Sequence, residues 1–171
     1  MKQREKLKKT LVFAFCVAFF PPFWAVAAPF IGVNTGPVAL ISAGIYAASG
    51  NRSKDALRVS LGLLAGDVWS VLTIWLIAIL RWPPAVEQYL ILFVLGGMAV
   101  IFGEMLDRIF YTPAWLGGWA VGLTIMGSLP PHQLGTLPLQ IGGSMLVGIY
   151  GIGVGVGAFQ SWLLHLMDVQ A

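Results

Sequence analysis

After a basic opening, the chain runs through stretches too uniformly apolar for the alternation of a half-buried strand or the single stripe of a soluble surface helix. Six such stretches stand out, at residues 10–30, 35–49, 56–80, 86–106, 110–127 and 137–165. A helix needs about 20 residues to cross a hydrocarbon layer about 30 Å thick. The second and fifth stretches are short on that measure, which predicts re-entrant segments or helices held by their neighbours. The pattern predicts an all-α membrane protein with six transmembrane helices in a single integral membrane domain, residues 1–171.

Two of the long stretches carry a weak point near the middle. The first holds Pro21-Pro22, and each proline removes an amide donor and crowds the carbonyl one turn back. The fourth holds Gly96-Gly97. Within lipid, a broken helix is tolerated only where it is buried in protein or lines a wet cavity, so both points are expected to be interrupted and to face a pathway.

These weak points belong to a larger repetition. Sliding the chain by 76 residues sets Pro37 on Pro113 and Pro21 on Gly97. Each half (about 10–80 and about 86–165) then reads as a long helix with a weak point, a short helix led by proline, and a long glycine-containing helix. Three crossings per half make the second half enter from the opposite side. Inverted repeats of this kind place solute sites near the midplane in many secondary transporters. Asn34 or Thr35 ahead of Pro37, and Thr112 ahead of Pro113, are expected to cap the short helices.

Charge adds an orientation. Of ten Lys and Arg residues, nine fall on one side of a six-span arrangement: Lys2, Arg4, Lys6, Lys8, Lys9, Arg52, Lys54, Arg58 and Arg108. Only Arg81 falls on the other, which predicts cytoplasmic N and C termini. With 58% hydrophobic residues, 10% charged ones and a mean hydropathy of +0.84, the chain lies outside the range of soluble domains. No basic face is interleaved with exposed aromatics, so nucleic acid is not an expected partner. The segment Lys2–Lys9, Thr10–Phe20 and Ala25-Val26-Ala27-Ala28 resembles a cleavable leader, but the apolar character continues through Phe30 and Ile31, which favours a retained first span.

Candidate chemistry is sparse. Cys16 is the single cysteine, which excludes an intrachain disulfide or cysteine metal cluster. His132 and His165 read as loop and interfacial residues. No nucleophile-and-base signature, phosphate loop or HExxH motif occurs, so neither enzyme activity, a cofactor nor a metal is expected. Asp67 is the one carboxylate deep in an apolar span, which makes it a functional candidate. Desolvation disfavours its charge unless a partner comes from another helix, with Thr124, Tyr150 or free backbone as candidates. Glu104 and Arg108 read as an i, i+4 pair at a helix end. Trp82 and Trp162 fall at span ends as interfacial anchors, whereas Trp24, Trp69, Trp115 and Trp119 lie deeper and are candidate pore walls. Glycines spaced by four, Gly62/Gly66, Gly118/Gly122, Gly151/Gly155 and Gly153/Gly157, predict close helix packing and a homo-oligomer.

Phe23-Trp24 in the first helix, Tyr46-Ala47-Ala48 ending the second, Gly66 with Trp69 in the third and Thr112-Pro113 leading into a glycine-rich fifth resemble the YcdZ-like bacterial inner-membrane proteins, a domain-of-unknown-function family. The resemblance implies a multi-pass protein of the bacterial inner membrane and supplies no substrate. Asp67 departs from the apolar or small residue expected there. The residues point to a channel or carrier for a small, largely uncharged polar solute such as urea, an amide or a weak acid or base. Pro21, Pro22, Asn34, Asp67, Trp69, Gly96, Gly97 and Trp115 are the expected pathway residues. The competing expectation is a non-transporting subunit whose glycine faces (Gly62, Gly66, Gly151, Gly153, Gly155, Gly157) dock another membrane protein.

Overall fold

The computed structural model describes residues 2–80 and 83–166, and every regular element among them is helical. Helix α1 is Lys2–Ala27, followed by a 3-10 turn at Ala28–Ile31. The turn closes on Gly32, whose φ of +78° lies in the left-handed region that glycine enters without a side-chain clash. Helices α2 (Val38–Ala48), α3 (Ala56–Leu80), α4 (Pro84–Met105) and α5 (Thr112–Met126) follow. A closing rod is α-helical over Leu137–Leu146 (α6), widens to a π-helix over Val147–Val154, and is α-helical again over Gly155–Leu166 (α7).

Four helical stretches are long and apolar enough to cross a membrane: Thr10–Ile31, Ser53–Leu80, Pro84–Met105 and Leu137–Leu163. Helices α2 and α5 fall short of that length, as their residue counts predict. Each buries one face, α2 with Val38, Ala39, Ser42 and Tyr46 and α5 with Ala114, Trp115, Gly118, Trp119, Gly122 and Met126. Helices α1 and α4 lie outermost, and Phe15, Phe19, Phe23, Tyr89 and Phe93 point outward from them. Outward apolar side chains suit a lipid surround rather than water.

Close packing at glycine sets the core. Helices α3 and α5 make the most extensive pair. A β-carbon at Gly62 would stand 2.7 Å from the Tyr111 carbonyl oxygen. One at Gly66 would strike the Trp115 carbonyl and the Trp119 amide, and one at Gly118 the Leu63 carbonyl. Only residues without a side chain let two backbones approach so far, which is how helices associate where lipid removes the hydrophobic drive. Helix α2 packs on the closing rod in the same manner, with Gly148 against the Ala39 carbonyl and Gly153 under the Tyr46 ring.

The weak points behave differently from the sequence expectation. Helix α1 continues through Pro21 and Pro22 without interruption, and α4 continues through Gly96 and Gly97. Each proline costs one hydrogen bond, yet the bonds on either side hold the helix together. The irregularity lies instead in the closing rod at Val147–Val154, where sequence offers only glycines. Its i→i+5 bonding brings residues five apart to one side. Gly148 and Gly153 therefore both face α2, five residues apart rather than at the spacing of four expected for the glycine pairs.

The expected caps are also absent. Pro37 precedes α2 and Tyr111 precedes α5, neither with a side-chain cap bond. Thr35 instead shares a buried 3.0 Å hydrogen bond with Ser144 across to α6, and Thr112 donates to Glu104 at 3.0 Å. Helix α4 ends at Met105, so Glu104 and Arg108 do not share a helical face.

Candidate functional site around Asp67

Asp67 sits near the middle of α3 and is 6% exposed. Its position follows from the register that also places Gly66 against α5: the neighbouring residue is carried into the angle between α5 and α6. A β-carbon on Gly122 would lie 3.4 Å from Asp67 Oδ1, and one on Gly142 would lie 3.7 Å from Oδ2. Two glycine backbones thus bracket the carboxyl group. Oδ1 is buried without a hydrogen-bond partner. The expected partners lie elsewhere: Thr124 is exposed and donates to the Ala120 carbonyl of its own helix, and Tyr150 is 46% exposed.

Polar side chains continue from Asp67 along α3. Ser70 and Thr73 follow at helical spacing, both fully buried. Ser70 Oγ donates to the Asp67 carbonyl at 2.6 Å, and Thr73 Oγ1 to the Trp69 carbonyl at 2.8 Å. Trp119 Nε1 donates to Thr73 Oγ1 at 2.9 Å. Trp69 Nε1 reaches the Leu95 carbonyl of α4 at 3.0 Å, and its ring meets that of Trp115 edge-on at 5.3 Å. These tryptophans cross-link α3, α4 and α5 as packing. Trp115 Nε1 and Trp24 Nε1 are buried without partners.

Thr73 forms part of the lining of a cavity of about 530 Å3 at one end of the bundle, with Ile77, Ala78, Gln88, Leu123 and Gly127 among its other walls. At the opposite end of α3, beside Ser53, a second cavity of about 360 Å3 is lined by Tyr46, Asn51, Gly153, Gly157 and Ser161. An apolar cavity of about 160 Å3 adjoins it, sharing Asn51 and Gly153 and reaching Pro21.

The sequence candidates are therefore not gathered at one point. Asp67, Trp69 and Trp115 occupy the α3–α5 interior, and Pro21 lines the apolar cavity while Pro22 is exposed. Asn34 is exposed, its backbone amide donating to Gln140 Oε1 at 3.1 Å. Gly96 lies against the Trp119 ring, whereas Gly97 has open space beside it. Thr73 and Gly142 were missed by sequence reasoning, and Gly122 was expected only as a packing glycine. The i+3 spacing of Asp67, Ser70 and Thr73 is the signal that was available. Trp82 lies outside the described residues, and Trp162 is exposed. No three His, Cys, Asp or Glu residues come together as a metal site among the described residues.

The long apolar helices, outward-facing aliphatic and aromatic side chains, and small-residue helix contacts define an all-helical membrane protein. The chain belongs to the family described as "Protein of unknown function (DUF1097)", whose sequence pattern matches residues 14–161. No curated protein and no solved structure matches the chain.

Proposed function

We propose that the protein is a carrier of the bacterial inner membrane for a small, largely uncharged polar solute, built from two inverted three-helix repeats that cross the membrane six times. The observation that carries this reading is a set of contacts recurring between the halves. Let the first two helices of each half correspond at a spacing of 76, and the third at 82, the extra residues falling in the longer connection 127–136 and in the helix ends beside it. Arg58 Nε then donates to the Phe110 carbonyl at 3.1 Å where Gln140 accepts from the Asn34 amide. Gly62 lies under Tyr111 where Ser144 bonds Thr35. Gly66 meets Trp115 where Gly148 meets Ala39, and Ser70 meets Gly122 where Gly153 meets Tyr46. In the last pair the π-helix supplies one extra residue.

The end cavities follow the same correspondence. Gly127, Leu129 and Ala78 of the first match Asn51, Ser53 and Ser161 of the second. Two equivalent recesses at opposite ends, joined through a packed interior, fit alternating access better than an open pore. Asp67 breaks the correspondence, since its counterpart is Ile149, and a buried ionisable group in such a bundle is a functional group by default.

Swelling of proteoliposomes in urea, acetamide or glycerol tests this reading. At least one solute is expected to enter faster than into protein-free liposomes, and Asp67→Leu to abolish the difference. Entry no faster than the protein-free rate for every solute would favour the second reading, an accessory subunit. Its support is that Gly44, Gly97 and Gly143 are exposed with no neighbouring atoms within 4 Å, leaving flat strips for another membrane protein or a second copy of this chain.

A further inference from the structure

We infer that Asp67 is a proton-binding site, loaded from the cavity at the α3–α5 end through the hydroxyls of Thr73 and Ser70. The inference rests on the carrier reading for its purpose and deepens it by naming the coupling ion, but its geometry stands apart. The carboxyl group is more than nine-tenths buried, and Oδ1 meets no donor. A β-carbon built on Gly122 or Gly142 would already touch its two oxygens, so the gap on those two sides is about one methyl group wide. A metal cation needs several oxygen ligands, and no group of three His, Cys, Asp or Glu residues that could supply them comes together among the described residues. A proton needs no space and removes the cost of an unpartnered buried charge.

Access is what separates an exchanging acid from a permanently neutral one. Residues three apart on a helix lie on one side, so Asp67, Ser70 and Thr73 form a polar line about 9 Å long at 1.5 Å rise per residue. Its far end is Thr73, which stands in the wall of the 530 Å3 cavity but has no exposed surface of its own, so the last step into the cavity requires local opening. Both hydroxyls donate to backbone carbonyls and not to one another, so the proposed passage requires each to leave that bond and a water molecule to bridge the steps, a relay open to groups that both donate and accept. No other titratable side chain competes at the site. Helix α5 carries none, α6 carries none, and the nearest on the rod is Tyr150. Helix α4 offers Glu87, Tyr89 and Glu104 towards its ends, α2 offers Tyr46 near its C-terminus, the turn Pro131–Gln133 against α3 offers His132 at the cavity end, and α3 itself has Arg58 more than two turns away.

Infrared pH-difference spectra of the protein in lipid bilayers read this directly through the C=O stretch of a protonated carboxyl, whether or not any solute is transported. The expected result is a carboxylic-acid band that disappears as pH rises. Asp67→Asn loses the band, Asp67→Glu shifts it, and Glu87→Gln and Glu104→Gln keep it. After a pH jump, Thr73→Val slows the response and Thr73→Ser restores it. A band indifferent to bulk pH, a band retained in Asp67→Asn, or a band removed by sodium chloride at constant pH would overturn the proposal. An unchanged rate in Thr73→Val would overturn the route. A failed swelling assay alongside a pH-responsive Asp67 band would reject the carrier reading and leave the proton site standing.

Discussion

The contacts of single residues decide most sharply what this chain tolerates. Gly66 and Gly97 look alike in sequence, each a glycine in an apolar helix. In the fold, a β-carbon at Gly66 would collide with the α5 backbone, while one at Gly97 meets nothing within 4 Å. Backbone cannot yield as a flexible side chain does, so Gly66→Ala is expected to destabilise by about 1–3 kcal/mol, the usual cost of overpacking. Gly97→Ala is expected to be neutral or slightly stabilising, because alanine is the better helix former. Thermal unfolding in detergent compares the two, and equal midpoints would contradict the packing described. Asp67 shows the same limit of legibility. Its burial followed from its place in an apolar run, but its neighbours did not, because Gly122 and Gly142 have no side chain to announce them. The polar Thr124 and Tyr150, the expected partners, turn away.

At the scale of elements, the six helical stretches were legible because long apolar runs punctuated by proline, glycine and charge leave few alternatives. Their interruptions were not. Pro21-Pro22 is a strong local signal, yet a helix held on both sides absorbs the loss of bonds. The π-helix at Val147–Val154 arises from a tertiary demand, the need to present Gly148 and Gly153 to α2 together, and no propensity records that demand. A deletion tests this account. Gly151 is exposed, and the nearest atom outside its backbone surroundings is Val147 Cγ1 of its own rod. Removing it brings Gly148 and Gly153 to the four-residue spacing that an ordinary α-helix places on one face. The deleted protein is expected to keep its helical circular dichroism and run as a single species in gel filtration. Deleting Gly148 instead removes the small residue that α2 requires, and aggregation is expected. Aggregation of both would contradict the role assigned to the extra residue.

For the whole molecule, the proposed repetition rests in sequence chiefly on Pro37 and Pro113, and a single spacing of 76 does not carry it into the third helices. The shift to 82, and the further residue in the π-helix, emerge only from contacts such as Arg58 with Phe110 and Gln140 with Asn34. Gly66 and Gly148 agree, but at the other matched glycines the counterpart is serine or tyrosine, so residue identity gives the proposed repetition little support. The repetition matters for function only if α2 and α5, too short by length alone, cross the membrane with the longer helices. Cysteine labelling decides that. With Cys16→Ala as background, Asn51→Cys and Ser128→Cys place single thiols at the two end cavities, separated by α3, α4 and α5. An impermeant maleimide applied to right-side-out membrane vesicles is predicted to label Ser128→Cys at once and Asn51→Cys only after permeabilisation. Labelling of both from the same side would mean that α5 does not cross, and the inverted-repeat carrier would be wrong.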